Sequence, residues 1–217
     1  MSLHLDLSGG AAVPAIESDM PLMELPRGAE AFDAHVVLTL DFPVTVQFRG
    51  QEGAETLTAL TMMRLTGADV RRVTEAPAAR GASVALAASL RWTPARTALV
   101  LSLMDASDAA AAHAVVAALL DVGDGLPERA RDEGARVVLP LLVPVGERTE
   151  IPFRRLTGAD LQAIAAGKDV VTQALARAAG LSPVEARDLF DTLDGADAMG
   201  VSRVVGFLSG SGRMTGR

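Results

Sequence analysis

The sequence predicts an α+β fold dominated by helices and written as two similar units. Each unit is a β-hairpin followed by three to four short α-helices. Three observations carry this. The hexamer RLTGAD stands at residues 64–69 and again at 155–160, 91 positions apart. Each copy follows a segment rich in Val, Thr and Phe, a composition that suits strands. Each copy precedes Ala- and Leu-rich sequence marked by helix-cap residues. The chain has 217 residues, 49% hydrophobic and only 3% aromatic. That length suits one large domain or two of about 100 residues, packed through small side chains.

The repeat extends beyond the hexamer. At an offset of 89, Pro94 falls on Pro183, Asp105 on Asp194 and Asp108 on Asp197. At the same offset Val115-Val116 falls on Val204-Val205, and Leu119 on Leu208. These matches run without a gap and are not merely shared Ala, so they read as a tandem duplication. Upstream, Pro43 is matched with Pro140. It precedes Asp69 by 26 residues, and Pro140 precedes Asp160 by 20. The six extra residues are placed in a hairpin tip around Arg49–Glu55, where insertions are tolerated. The chain then divides into an irregular arm (1–34), unit 1 (35–121), a charged glycine-bearing linker (122–136), unit 2 (137–209) and a frayed tail (210–217).

Each element has its own signal. HVVLTLDFPVTVQF (35–48) predicts a strand, GQEG a turn, and ETLTALTMM (55–63) the return strand. In unit 2, VVLPLLVPV (137–145) turns at Gly146-Glu147 and RTEIPF returns. Pro140, Pro144 and Pro152 argue for edges or bulges there, not a central strand, because proline cannot donate to a ladder. Within the hexamer, Thr and Asp three residues apart predict a capping box. The Thr hydroxyl accepts an orphan N–H while Asp reaches back, so Thr66 with Asp69 and Thr157 with Asp160 should open helices near Gly67 and Gly158. Ser182 with Glu185 is a full box with Pro183 at the first helical position. Thr93-Pro94 is its weaker counterpart, and Gly180 suits the end of the preceding helix. The last helix of each unit should start at Asp105 or Asp194.

Chemistry is sparse in the sequence. Net charge is −7 and there is no cysteine. Bulk electrostatics therefore oppose nucleic acid, and thiol catalysis, disulfides and zinc–thiolate sites are excluded. His4, His35 and His113 form no metal-ligand spacing. Asp105/Asp108 and Asp194/Asp197 share helix faces, but helix capping explains both pairs without further ligands. The glycines match neither phosphate-loop pattern, and no GxSxG elbow occurs. Residues 182–209 could imitate a helix-turn-helix, yet they carry Glu185, Asp188, Asp191, Asp194 and Asp197 against Arg187 and Arg203, the wrong sign for DNA. Met62-Met63, Trp92 and Phe190 could line a partner groove, with core packing as the simpler role. No secretory leader or span-length apolar run is visible, so a cytoplasmic, non-catalytic protein without cofactor, metal, nucleic-acid or membrane partner is expected.

One resemblance adds to this reading. VVLPLLVPVGERTEIPFRRLTGADL, then GLSPVEARDLFDTLDGAD, then VVGFL resembles the tail assembly chaperones of contractile-tailed phages and prophages. The shared pattern is a proline-bearing strand, a glycine turn, a second strand ending in Arg, a T-x-x-D cap, a G-L-S-P helix and a terminal F-L. Residues 137–208 cover it; residues 36–120 are a diverged copy with SLRWTP in place of AAGLSP. The resemblance implies a non-catalytic host-cytoplasmic protein that coats the helical tape-measure protein during tail assembly. The tail-tube protein is a second implied partner, and self-association stays open. The rival expectation is a structural tail or baseplate component retained in the virion.

Overall fold

Among the described residues, one order of elements is written twice: three antiparallel strands, then four α-helices. The computed structural model describes residues 25–32, 34–47, 53–121, 126–167 and 169–210. The first run has β1 (Ala29–Ala31), β2 (His35–Val46), β3 (Glu55–Met63), α1 (Gly67–Glu75), α2 (Gly81–Ser89), α3 (Pro94–Leu103) and α4 (Ala106–Leu119). A 3-10 turn at Ala78–Arg80 precedes α2. The second run has β4 (Arg131–Asp132), β5 (Arg136–Val145), β6 (Arg148–Arg154), α5 (Gly158–Ala165), α6 (Val170–Ala179), α7 (Pro183–Thr192) and α8 (Gly195–Leu208). The chain is α+β and helix-dominated, as its pattern predicts.

Two boundaries differ from expectation. Strand β1 lies inside the segment read as an arm, and β4 inside the segment read as a linker. Each turns a hairpin into a three-stranded sheet, ordered β1-β2-β3 and β4-β5-β6. Strands of two or three residues are too short to show a period, so pattern reading misses them. The expected insertion site is only partly testable, because residues 48–52 lie outside the described residues.

The strands bury mainly alternate side chains, as a sheet with one covered face does, with Val138 of β5 buried as well. Val36, Leu38, Leu40, Val44 and Val46 of β2 are buried, with Leu60 and Met62 opposite on β3. In the second sheet Val137, Leu139, Ile151 and Phe153 take this place. Helices supply the other side of the core through Leu86, Val100, Val115, Leu175, Phe190 and Val204. Met62 and Phe190, weighed above as groove residues, are thus core residues. Trp92 is half-buried beneath the Arg96 guanidinium, 4.4 Å from its ring centre.

Both central strands break register in the same way. In β2, residues 40–43 stand opposite Thr58 alone, between the Thr39↔Ala59 and Val44↔Leu57 pairs. In β5, residues 141–144 stand opposite Thr149 alone, between Pro140↔Glu150 and Val145↔Arg148. Pro43 and Pro144 hold the same place in these four-against-one bulges, where no ladder N–H is needed. This corrects the pairing of Pro43 with Pro140. The first hairpin is longer by two rungs as well as by its turn, not by the turn alone. The expectation that this proline-bearing strand is not central is overturned: β5 is the middle strand of its sheet, though β4 pairs only with Val137 and Val138. The prolines of β5 therefore sit beyond the doubly paired region.

Candidate interaction site at two pinned bulges and the join between the halves

The helix starts are built from the capping residues. Thr66 Oγ1 accepts the Asp69 N–H, and Asp69 accepts the Thr66 N–H at 2.9 Å. Thr157 and Asp160 repeat this, again with 2.9 Å for the return bond. Ser182 and Glu185 close a third box, at 2.8 Å. These six residues are far apart in role from a converging site; each pair serves its own helix. Asp105 and Asp194 cap α4 and α8 through the N–H groups of Ser107 and Ala196.

Asp108 and Asp197 do something the i, i+3 reading did not foresee. Each sits at the third position of its helix but turns across to the sheet. Asp108 accepts the N–H groups of Asp41 and Phe42, both at 3.0 Å. Asp197 accepts those of Leu142 at 2.9 Å and Val143 at 3.0 Å. These are the amides that each bulge leaves without a ladder partner. Pairing them is obligatory once they leave water. Both carboxylates are buried, Asp197 completely. Arg129, from the segment just before β4, bonds Asp197 at 2.8 Å and the Pro140 carbonyl at 3.0 Å. Burial still dominates at Asp197 and pushes its carboxyl up, against the pull of the Leu142 and Val143 amides and of Arg129. Gly200 leaves room for this arginine; a methyl there would lie 2.9 Å from its guanidinium.

The pinned bulges turn apolar side chains outward. Phe42 is 59% exposed and Val143 is 42% exposed, at matching positions of the two bulges. A bulge commonly re-aims a side chain. Here both re-aimed side chains are apolar, and each backbone is anchored by a buried carboxylate.

The hexamers separate in role. The first lies in the join between the halves. Gly67 N–H donates to the Leu193 carbonyl at 2.8 Å, and Gly195 N–H to the Leu65 carbonyl at 2.7 Å. Arg64 grips Asp194 with two bonds, at 2.7 and 2.8 Å. That bond holds the Arg64 guanidinium's proton more firmly than usual. Further along α1, Arg71 grips Asp191. Leu65 and Leu193 are buried at the centre. The second hexamer lies on the surface, with Arg155, Thr157, Gly158 and Ala159 all exposed. Arg155 there bonds Asp132 at 2.8 Å and lies over the Phe207 ring. Sequence reading saw one structural device twice and missed that only one copy forms a joint. Identical spelling cannot show which copy is covered.

Beside the join is a pocket of about 310 Å³. Val70, Val170, Val171 and Phe190 form its apolar part, while Arg71, Glu75 and Asp169 bring charge. Among the described residues no group of three or more His, Asp or Glu is placed to hold a metal ion, and no helix is long and apolar enough to cross a membrane. His35 stacks on Phe32, and His4 lies outside the described residues. No protein-family model, curated protein or solved structure matches the chain.

Proposed function

We propose that this chain is a non-catalytic assembly protein of phage or prophage tails, a chaperone that holds the tape-measure protein in the host cytoplasm until the tail tube forms around it. The observation that carries the reading is the pair of bulges. Two buried aspartates are committed to fixing backbone whose outward side chains are Phe42 and Val143. Burying a carboxylate is costly unless it is fully bonded. Here the bonds serve a display, made once in each half. Two apolar display points on one chain suit a long client with repeated amphipathic helical segments, because two weak contacts on one partner gain avidity. The order of elements adds support. The proline bulge, the Gly146 turn, the Thr157–Asp160 cap and the Ser182–Glu185 cap fall on the strand–turn–strand–helix positions that the resemblance requires. We take the two halves as copies of one unit on the same grounds.

The test is co-expression with the neighbouring tape-measure protein, followed by pull-down. Phe42→Asp with Val143→Asp should leave the thermal melt unchanged and cut capture at least tenfold. Unchanged capture by the double variant would remove the display from the argument. Mass spectrometry of purified particles separates chaperone from subunit. The chaperone is missing from particles, whereas stoichiometric retention makes the chain a tail or baseplate component.

A further inference from the structure

The start of α1 and the join of α7 with α8 form a matched pair of faces within one chain. Each face has a counterpart in the other half, and both counterparts are uncovered. The start of α5 carries the same hexamer as the start of α1. Yet Leu65 and Gly67 are buried where Leu156 is half-buried and Gly158 exposed. The join of α3 with α4 corresponds to that of α7 with α8. Leu193 and Gly195 are buried, while Met104 is half-buried and Asp105 and Ala106 are exposed.

We propose that the start of α5 on one molecule docks on the α3–α4 join of a second copy of this chain, as the start of α1 docks on the α7–α8 join inside each molecule. The chemistry is already spelled on both sides. Arg155 stands where Arg64 grips Asp194, and Asp105 stands where Asp194 receives it. Gly158 stands where Gly67 lies against the Phe190 carbonyl, too close for any side chain. The outer charged pair, Arg71 with Asp191, is replaced on both faces at once by uncharged Gln162 and Ser102. Neither free face therefore strands a charge that the covered faces pair. Around the α3–α4 join, Leu99 and Leu103 are 38% and 54% exposed, where the covered join has Asp188 and Thr192. An apolar rim is what a face awaiting a partner presents.

The two faces are different, so each added molecule covers one of each and leaves one of each free. Such heterologous contact builds rings or open filaments, not an isologous dimer. The joint is weaker than the internal one for two reasons. Ala106 occupies the place of Gly195, where a methyl already meets Leu65 at 3.1 Å. Arg155 must also leave Asp132 and Phe207. Association is therefore reversible. It stands independently of what the chain carries.

Sedimentation of the full chain over a hundredfold concentration range tests this. Average mass should rise with concentration. Gly158→Leu should fold normally, because nothing lies within 4 Å of the added carbon, and should remain monomeric. Leu103→Arg should do the same from the opposite face. An equimolar mixture of the two variants should form dimers and stop there, since each keeps the face the other has lost. A wild-type mass that stays monomeric throughout overturns the proposal. So does undiminished association in either folded variant, or a mixture that fails to pair.

Discussion

Gly67→Ala and Gly158→Ala make the same chemical change at the same position of the same hexamer, and they should move stability in opposite directions. A methyl on Gly67 would sit 1.7 Å from the Phe190 carbonyl oxygen and 2.7 Å from its carbon. Both atoms are backbone in α7, so no rotamer change relieves the clash. Helix α1 must move off α7 by well over an ångström. That movement stretches the Gly67–Leu193 and Gly195–Leu65 hydrogen bonds together, since the two are reciprocal across the joint. Overpacking of this kind costs about 1–3 kcal/mol. Each buried group left unpaired adds about 1–3 kcal/mol. Alanine returns somewhat under ~1 kcal/mol through helix propensity. The net loss is about 2–8 kcal/mol, a large part of the ~5–15 kcal/mol that holds a typical domain. At Gly158 the methyl meets nothing within 4 Å, and the backbone there is not left-handed. Alanine should stabilise by about 0.5–1 kcal/mol by restricting the unfolded chain. Urea unfolding followed by circular dichroism, at concentrations where the chain is monomeric, measures both. The transition of Gly67→Ala should fall to much lower urea, while that of Gly158→Ala should rise slightly. A difference below about 1 kcal/mol, or the reverse order, would refute the assignment of the first hexamer to a tight joint.

Other perturbations read other parts of the structure. Asp108→Ala should destabilise by about 2–4 kcal/mol, because two bulge amides lose their acceptor; Asp197→Ala should cost about 3–5 kcal/mol, because it also strands Arg129. Amide exchange at Asp41 and Phe42 should speed in the first variant only, and at Leu142 and Val143 in the second only. Asp160 is held below the usual carboxylate range by Arg154 and by the Thr157 N–H and hydroxyl. Its contribution is present above about pH 4 and is lost as pH falls through the lower folded value; Asp160→Asn should flatten the acid side of a stability–pH curve. Asp197 is shifted upward, so its protonation favours the fold as pH falls. Asp197→Asn should steepen that same side. Leu193→Ala, at the centre of the joint, should cost about 2–5 kcal/mol in thermal or urea unfolding.

Much of the local structure was legible because its signals are local. A capping box needs only two side chains three residues apart, and three of them stand where the sequence puts them. Proline at Pro94 and Pro183 opens helices for the same local reason. What was not legible depends on distant partners. Asp108 and Asp197 sit at helix positions that favour carboxylates near the N-terminal dipole. Nothing in their spacing reveals that their acceptors serve amides 66 and 55 residues away. Strands β1 and β4 are set by pairing with a neighbour already in place, not by their own composition. Pro144 breaks the ladder as its lack of a donor predicts, whereas Pro140 and Pro152 stay in register with Glu150 and Val138. The alignment of the prolines failed because a bulge has no length signature until both strands are seen.

The two halves also show how one sequence device can acquire two roles without changing its letters. Thr66–Asp69 and Thr157–Asp160 make the same box with the same bond lengths to within a few tenths of an ångström. What differs is what lies outside the box. Asp69 takes its arginines from Arg72 and Arg91, both in its own half. Asp160 takes Arg154 and Arg177, also in its own half. The cap is thus self-sufficient in each unit and needs no joint to form. The joint is added by Arg64, Gly67 and Leu65, which face away from the capping carboxylate. Of their counterparts, Arg155 and Gly158 are exposed and Leu156 is half-buried. Helix capping alone would not require glycine at the first helical position or arginine two residues before the capping threonine. The second hexamer retains both. A face that keeps the residues of a joint while lying open is what the proposed contact between molecules requires.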